Sequence, residues 1–359
     1  AKSITSFFAY CKKMGEHFGV LKNRMRALDT MSSLEKIAFG LKMLWWVLPV
    51  GKTLSLSAEK GLDMYFKNEA IKKIFCSEEK FMSIIMPICW AYSGDFQSPP
   101  QGGAEVFIHW LCKKIQGAGS HIALNSKVEK VLVEDQKAVG VMFADGRIVH
   151  SKYVIAACDV ENLYEKMLPR GTVPSTLLDR LRAADLYYSS VTVYLGLNCA
   201  AAEIGLQEEI TCITLENIPR KDHFKGDPHK SSLIVQAPSV RDHTLAPEGK
   251  STLTIHCAAW IEQEKFWQTE KDLERGDAYK KTKQRFADIL IDRVEKALGV
   301  NIKDHIEVLE IATPVTYWRY TRNRDGSNMG ARPTPKNIKN KLAHYRTPVK
   351  NLFLGGHWA

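Results

Sequence analysis

The chain of 359 residues is 45% apolar and 25% charged with a net charge of +10, a composition typical of a globular protein long enough for two domains. Its eight cysteines are scattered, with no C-x-x-C motif and no ligand-like spacing to histidine, which argues against a metal site and favours a reduced compartment. No stretch approaches the roughly 18 uninterrupted apolar residues of a spanning helix, so we expect a cytoplasmic protein.

The positive charge is concentrated near the start of the chain. Residues 1–52 carry nine lysines and arginines against three acidic residues, which is +6 of the total. Such a segment suits nucleic acid or an anionic membrane surface. The chain contains neither a zinc finger nor an RNP-like stretch, so we expect no nucleic-acid partner, whereas peripheral membrane contact stays open.

Residues 1–95 are mostly helical in pattern. Ser32-Ser33-Leu34-Glu35 is a capping box, and the helix after it ends before Pro49. Apolar residues follow at helical spacing: Leu34, Ile37, Ala38, Leu41, Leu44, Trp45 and Leu48. The simpler interpretation is a helix packed on its own domain, and the alternative is an interfacial helix at a bilayer surface. Residues 57–66 and 77–92 predict two further helices.

Residues 98–103 break this pattern and predict a domain junction. The next helix carries a stripe of Ala104, Phe107, Ile108, Leu111 and Ile115. Gly117 and Gly119 form a G-x-G that follows a helix and precedes a strand, the reverse of the dinucleotide context, and predict a helix C-cap. Residues 1–359 contain no G-x-G-x-x-G motif, so we expect no βαβ unit of that type among them.

Strands dominate from residue 121 onward. Residues 128–133, 138–144 and 147–150 predict a meander with a hairpin at Asp145-Gly146, and residues 153–157 predict a buried strand. Residues 161–312 predict a second domain with helices at 175–186 and 272–298. Residues 190–198, 232–239 and 252–259 predict strands of one sheet, and residues 206–227 and 246–250 predict connecting loops.

The chain ends on a strand at residues 351–354 that runs into Gly355-Gly356. Taken alone, this is either an ordinary strand-to-loop turn or a place where backbone amides approach a ligand closely. The basic residues of 331–350 predict a solvated loop, and contact with anionic headgroups is the alternative.

Several motifs in this order resemble the phytoene desaturase family of FAD enzymes, which also includes carotenoid isomerases and retinol saturases. They are Pro100-Gln101-Gly102-Gly103 before a helix, Val154-Ile155-Ala156-Ala157-Cys158-Asp159, Thr313-Pro314, Arg319-Tyr320-Thr321, Asp325-Gly326-Ser327-Asn328-Met329-Gly330, and the final run from Asn351 to His357. The resemblance implies an α/β fold in the sense of an α+β mixture. A partial FAD/NAD(P)-binding domain (96–160 and 313–359) would join a mixed-sheet substrate domain (161–312) and a helical lid (1–95).

The resemblance also implies the residues of a site. Val128 would meet the adenine, Ala156 and Ala157 would lie near the phosphates, and Gly326, Ser327 and Gly330 would face the isoalloxazine ring. Gly355, Gly356 and His357 would contact the ribityl chain and pyrophosphate. Gly102 and Gly103 would leave room for substrate, and Tyr317 and Trp318 would line its slot. No side chain is assigned as catalytic, and no metal is expected.

The implied function is an FAD-dependent oxidoreductase that desaturates, isomerises or saturates an apolar isoprenoid or carotenoid-like substrate by hydride transfer at flavin N5. The alternatives are an amine-oxidase-like flavoprotein and a non-catalytic, lipid-binding relative. Residues 1–359 lack the Rossmann glycine motif and the glycine-rich helix that follows the last turn in the family. We therefore expect this chain to be part of a longer enzyme and inactive alone. The oligomeric state is not predicted.

Overall fold

The computed structural model describes residues 2–19, 28–75, 85–92, 99–219, 222–261, 264–332, 334–340, 342 and 344–358. Two compact units are present: unit 1 is Ala1–Pro99 with Pro219–Lys221, and unit 2 is Pro100–Ile218 with Asp222–Ala359. The finer division of unit 2 at residues 160 and 312 stays a prediction. No helix in these described ranges is long and apolar enough to cross a bilayer.

Unit 1 is helical where it is described. Its helices are α1 Lys2–Gly19, α2 Ser33–Val47, α3 Gly51–Ser55, α4 Ala58–Asp63, α5 Glu69–Phe75 and α6 Met86–Trp90. They enclose a core that includes Phe7, Phe18, Leu62 and Ile85, each fully buried. The predicted start of the helix over 77–92 falls on residues outside the described ranges.

Helix α2 begins at the predicted capping box. The Glu35 N–H donates to Ser32 Oγ at 3.3 Å, and the Ser32 N–H donates to Glu35 Oε2 at 2.7 Å. The helix packs on unit 1 through Trp46, whose indole N–H donates to the His17 carbonyl at 3.0 Å. The apolar stripe beginning at Leu34 is exposed instead of packed. The helix therefore packs on its own domain as predicted, but through Trp46 and its neighbours and not through the predicted stripe.

Unit 2 combines helices with three sheets. Its helices are α7 Ala104–Gly117, α8 Val160–Asn162 continuing as a π-turn Leu163–Met167, α9 Ser175–Arg182, α10 Glu264–Trp267, α11 Asp277–Leu298, α12 Pro314–Thr321 and α13 Pro335–Asn340. Its strands are β1 Val128–Glu134, β2 Lys137–Phe143, β3 Ile148–His150, β4 Val154–Ala156, β5 Ser189–Leu197, β6 Ile210–Ile213, β7 Leu233–Gln236, β8 Ser251–Ala259, β9 Ile306–Ala312 and β10 Leu352–Leu354.

The predicted meander is confirmed as the antiparallel sheet β1-β2-β3, with Gly146 at φ +84° in its second turn. Strand β4 pairs in parallel with β10. It is not the buried strand that was predicted, because Ile155 is 72% exposed and Tyr153 is also exposed. Helix α7 likewise forms where predicted and ends near Gly117, but its apolar stripe is exposed.

The largest sheet has the strand order β6-β7-β8-β5-β9 and is antiparallel throughout. It contains the three predicted strands, which confirms that they share one sheet. It also contains β6, which lies inside the predicted loop 206–227; four residues are too few for a clear period-two pattern. One sheet face packs against α11, where Val193, Ile255 and Leu290 are buried together. Helix α9 ends at Arg182, earlier than the predicted 186, and α11 begins at Asp277.

We expect Leu290→Ala to lower the free energy of unfolding by about 2–5 kcal/mol, because it removes a fully buried side chain between α11 and the sheet. Lys281→Ala, at an exposed position of the same helix, should change the free energy of unfolding by no more than about 0.5 kcal/mol. Urea denaturation gives the free energy of unfolding of both variants. Equal effects would contradict the packing of α11 described above.

Candidate functional site

The two parallel strands of unit 2 end side by side. The Gly355 N–H, just beyond β10, donates to the Ala156 carbonyl at the end of β4 at 2.9 Å. Ala157 and Gly356 follow immediately on the two strands. In α/β proteins, ligands bind in the crevice outside the carboxyl ends of parallel strands. Four of the residues predicted to contact the cofactor thus lie together in such a position.

The glycine turn has an open surface. Gly356 has φ +76°, in the left-handed region that favours glycine. A Cβ at Gly356 would come no closer than 3.9 Å to the Ala157 carbonyl, and one at Gly355 would meet Ile155 at 3.4 Å. The backbone conformation demands glycine at 356 although the space beside it is free. A ligand can therefore approach this main chain closely.

A cleft of about 580 Å³ lies beside β4. Val128, Ala156 and Ala157 line it together with Arg319 and Arg322 of the α12 end. Three predicted cofactor residues therefore share one cavity. These two arginines place positive charge near the cavity, although the Arg322 guanidinium itself lies over the Trp318 ring.

Two buried polar atoms near the turn have no hydrogen-bond partner among the described residues: Asp159 Oδ2 and Trp358 Nε1. Asp159 Oδ1 accepts from the Asn162 N–H at 2.7 Å. Burial raises the pKa of Asp159, and the hydrogen bond from the Asn162 N–H and then nearby His357 oppose that rise. A Cβ at Gly330 would lie 3.0 Å from the Trp358 ring and 3.1 Å from that of His357. An unpaired acceptor and an unpaired donor beside an open glycine turn fit the hydroxyl and phosphate groups of FAD.

Gly326 and Ser327 occupy a packed loop. Gly326 has φ +64°, and a Cβ there would lie 2.3 Å from the Pro314 carbonyl, so contact with α12 already requires glycine. The loop is held by Arg324, whose Nε lies 3.0 Å from Glu161 Oε1. Ser327 is buried. Their predicted role beside the isoalloxazine ring stays a prediction.

Asp242 anchors the predicted substrate glycines. Its Oδ2 accepts from the Gly102 N–H at 2.7 Å, and its Oδ1 accepts from the hydroxyl of Thr244 at 2.6 Å. Both bonds lower the pKa of Asp242, and the bond from Thr244 has the larger effect. Gly102 and Gly103 both have left-handed φ, and a Cβ at Gly103 would lie 3.0 Å from Leu245. Backbone conformation and packing therefore require these glycines.

A polar cluster on the face of the large sheet opposite α11 was missed from the sequence. Thr192 Oγ1 lies 2.6 Å from the Tyr317 hydroxyl, 3.1 Å from His256 Nδ1 and 3.3 Å from Ser190 Oγ. Burial lowers the pKa of His256, and burial also raises the pKa of Tyr194, on the same face, to about 12. The alternation of Ser190, Thr192 and Tyr194 along β5 was the available signal.

Tyr317 and Trp318 do not share one slot. The Tyr317 hydroxyl joins the sheet cluster, whereas Trp318 lines a separate cavity beside residues 268–273 and stacks under Arg322, with the guanidinium carbon 4.4 Å from the ring centre. Adjacent residues on a helix point about 100° apart. The predicted substrate role of this pair is not tested by its placement.

Comparisons with known proteins identify the family of this chain. The family model described as flavin containing amine oxidoreductase matches residues 27–359. All-trans-retinol 13,14-reductase of Danio rerio is 30% identical over 279 residues, covering 72% of this chain and 45% of that protein. Chloroplastic prolycopene isomerase of Daucus carota is 29% identical over 259 residues, covering 70% of this chain and 39% of that protein. The chain thus spans less than half the length of these relatives.

Among solved structures, an oxidoreductase from Methanosarcina mazei is similar with a TM-score of 0.56 and 14% identity, covering 92% of this chain and 69% of that one. This similarity confirms the mixed helix and sheet fold predicted from the sequence.

We expect Asp242→Asn to loosen the glycine loop, because an amide group has one acceptor oxygen where the carboxylate uses two. Amide hydrogen exchange in the peptide containing Gly102 and Gly103 should become faster by about tenfold. Glu248→Gln, at an exposed loop position, is the control and should leave that peptide unchanged. Unchanged exchange in both variants would contradict the anchoring role.

We also expect a pH-dependent stability from His256. Its folded pKa is lowered, so the unfolded chain takes up the proton at higher pH than the folded chain. The stability that neutral His256 contributes is complete above its ordinary pKa of 6.5 and is lost as the pH falls below that value. Urea titration at pH 7.5 and 5.5 gives the free energy of unfolding at each pH. This free energy should fall less between the two pH values for His256→Gln than for the native chain or for exposed His150→Gln. An equal fall in all three would refute this assignment.

Proposed function

Because the chain belongs to the flavin-containing amine oxidoreductase family and its cofactor is FAD, we propose that it is part of an oxidoreductase acting on carbon–carbon bonds of an apolar isoprenoid. The family resemblance drawn from the sequence is confirmed by the match over residues 27–359. Retinol and prolycopene, after which the two curated relatives are named, are both polyenes. This shared chemistry supports the substrate class.

The observation that carries the proposal is the open glycine turn at the ends of β4 and β10. Gly356 leaves its main chain accessible, and Asp159 and Trp358 each hold one unpaired polar atom nearby. Arg319 and Arg322 line the neighbouring cleft and place positive charge near it. Together these groups would hold the ribityl and diphosphate portion of FAD by backbone contact and charge.

FAD, when bound, supplies a two-electron redox centre, so no nucleophile is required of the protein. The chain contributes the polar face of the large sheet, where His256, Thr192, Tyr194 and Tyr317 meet. Burial favours neutral His256, and the raised pKa of Tyr194, about 12, keeps that phenol protonated at neutral pH. A face of neutral, mutually hydrogen-bonded groups is easier to dehydrate than a charged one, which suits an apolar substrate. The hydroxyl groups of Tyr317 and Thr192 lie within hydrogen-bond distance of each other on this face.

The reaction on the polyene is tested by anaerobic absorption spectra of the flavin-loaded protein. A saturase or desaturase couples substrate turnover to a change in the oxidation state of the flavin, whereas an isomerase leaves that state unchanged overall. We expect liposomal retinol or a carotene to produce one of these patterns, with the product identified by chromatography. Reaction with putrescine but with no polyene would instead favour an amine oxidase, and a protein that reacts with none would favour a non-catalytic relative.

We expect residues 1–359 alone to bind FAD weakly, because they contain no G-x-G-x-x-G phosphate-binding motif. Gly356→Val should weaken that binding by a further tenfold or so, since the side chain fills the open turn and strains the left-handed backbone. Flavin fluorescence titration measures the affinity. Gly119→Val is the matched control, because Gly119 has φ +75° and equally open surroundings at the end of α7.

Tight, stoichiometric flavin in the native chain would contradict the expected weak binding. Equal affinity in the Gly356 and Gly119 variants would contradict the assignment of the turn.

A further inference from the structure

His256 has one ring nitrogen that no hydrogen bond of the described structure uses. Its Nδ1 lies 3.1 Å from Thr192 Oγ1. Its Nε2 has no partner among the described residues, and it is not one of their fully buried unpaired atoms. The ring is half-buried on β8, the strand that lies between β5 and β7 in the large sheet. An accessible polar atom on a largely buried ring is free to meet a ligand.

The rest of the cluster does not supply a partner for Nε2. A hydroxyl group has one donor and two acceptor positions. Thr192 Oγ1 has three neighbours to fill them, namely His256 Nδ1, the Tyr317 hydroxyl and Ser190 Oγ. Ser190 Oγ also accepts from Asn328 Nδ2 at 3.3 Å. Hydrogen bonding is thus saturated at Thr192, the centre of the cluster, and stays open at Nε2 on its edge.

Either tautomer of His256 leaves a group that an alcohol satisfies. If the Thr192 hydroxyl donates to Nδ1, then Nε2 carries the ring proton and is a donor; if Nδ1–H donates to Thr192, then Nε2 is an acceptor. An alcohol both donates and accepts, so it fits both states. An ether oxygen or a carbonyl oxygen only accepts and would fit one of them. Burial lowers the pKa of His256, which favours the neutral ring at neutral pH.

Carbon-rich side chains surround this ring. Tyr188 lies on the same face as Thr192 by the alternation of β5, and its ring centre lies 6.5 Å from that of His256. The ring of Phe224 lies 5.5 Å from that of Tyr188. Ile234 of β7 pairs directly with His256 and is half-buried. One open polar atom with aromatic and aliphatic neighbours matches a largely apolar molecule that carries a single polar group.

We propose that His256 Nε2 binds the hydroxyl group of an isoprenoid alcohol and thereby selects that alcohol over the corresponding hydrocarbon. The inference rests on the isoprenoid chemistry proposed above and names the kind of isoprenoid that the site prefers. Its place in the fold supports it, because Asn328 joins the cluster to the loop that contains Gly326 and Ser327. His256 acts here on specificity and not on the redox step.

A hydrocarbon of the same shape cannot replace this contact. When it binds, Nε2 loses water and gains no partner, whereas an alcohol restores the hydrogen bond. A site that is built to bind a hydroxyl group therefore discriminates against the analogue that lacks it. The apolar neighbours would contact both molecules alike, so the difference in affinity is expected to come from Nε2.

The test is a binding titration of the native 359-residue chain with retinol and with axerophtene, in which a hydrogen atom replaces the retinol hydroxyl. Both molecules carry the same conjugated chain, so energy transfer from tryptophan to the polyene reports the binding of either. We expect retinol to bind at least about tenfold more tightly than axerophtene. His256→Phe should reduce this preference to about twofold or less, because the variant keeps an aromatic ring and lacks Nε2.

His150→Phe is the matched control, because His150 is an exposed histidine of β3 outside the cluster. It should keep the preference of the native chain for retinol. A folding defect in His256→Phe would weaken the binding of both polyenes alike, so the ratio of the two affinities separates specificity from stability.

Nitrogen-15 NMR of the native chain locates the contact without relying on a variant that folds differently. Retinol should shift the Nε2 signal of His256, and axerophtene should leave it in place. Equal affinities of the native chain for the two polyenes, a preference that His256→Phe retains, or an unshifted Nε2 signal with retinol bound would overturn this inference and leave the proposed isoprenoid chemistry intact. Binding of neither polyene would overturn both.

Discussion

The parallel pairing of β4 with β10 is the constraint on which the candidate site depends. It joins segments separated by most of unit 2, and side-chain and main-chain bonds reinforce it: Asn351 Nδ2 donates to the Lys152 carbonyl at 2.8 Å, and the Val154 N–H donates to the Asn351 carbonyl at 2.9 Å. Because a parallel ladder aligns strand ends, Ala156 and Gly355 must finish together. The other proposed FAD contacts are all positioned relative to the ends of these two strands.

Signals that lie within a few residues were readable from the sequence. The capping box at Ser32 and Glu35 and the Asp145-Gly146 hairpin each depend on local backbone chemistry, and each is present. The glycine turn was readable for a related reason, since Gly356 takes a backbone conformation that few other residues adopt. Its relation to FAD came from family resemblance, because glycine alone does not name a ligand.

Contacts between distant segments were not readable in the same way. The sheet cluster combines Thr192 of β5 with His256 of β8 and Tyr317 of α12. Only the strand register and the docking of α12 bring the polar atoms of His256 and Tyr317 within 3.1 Å of Thr192 Oγ1. Asp242 likewise accepts a hydrogen bond from Gly102, 140 residues away in the sequence. Periodicity likewise showed that α2 has an apolar face but did not say on which side the protein lies, since Trp46 and its neighbours offered a second apolar side.

A division between backbone and side-chain recognition accounts for which site residues sequence reasoning finds. A phosphate or ribityl group is bound by main-chain amides and by positive charge. Its site is therefore rich in glycine and arginine, which are easily recognised in a sequence. An apolar substrate offers few polar groups, and its site is shaped by side chains from many elements whose types are common in any core. The glycines near Gly355 therefore stood out, whereas the neutral sheet face around Thr192 emerged only when β5, β8 and α12 were assembled.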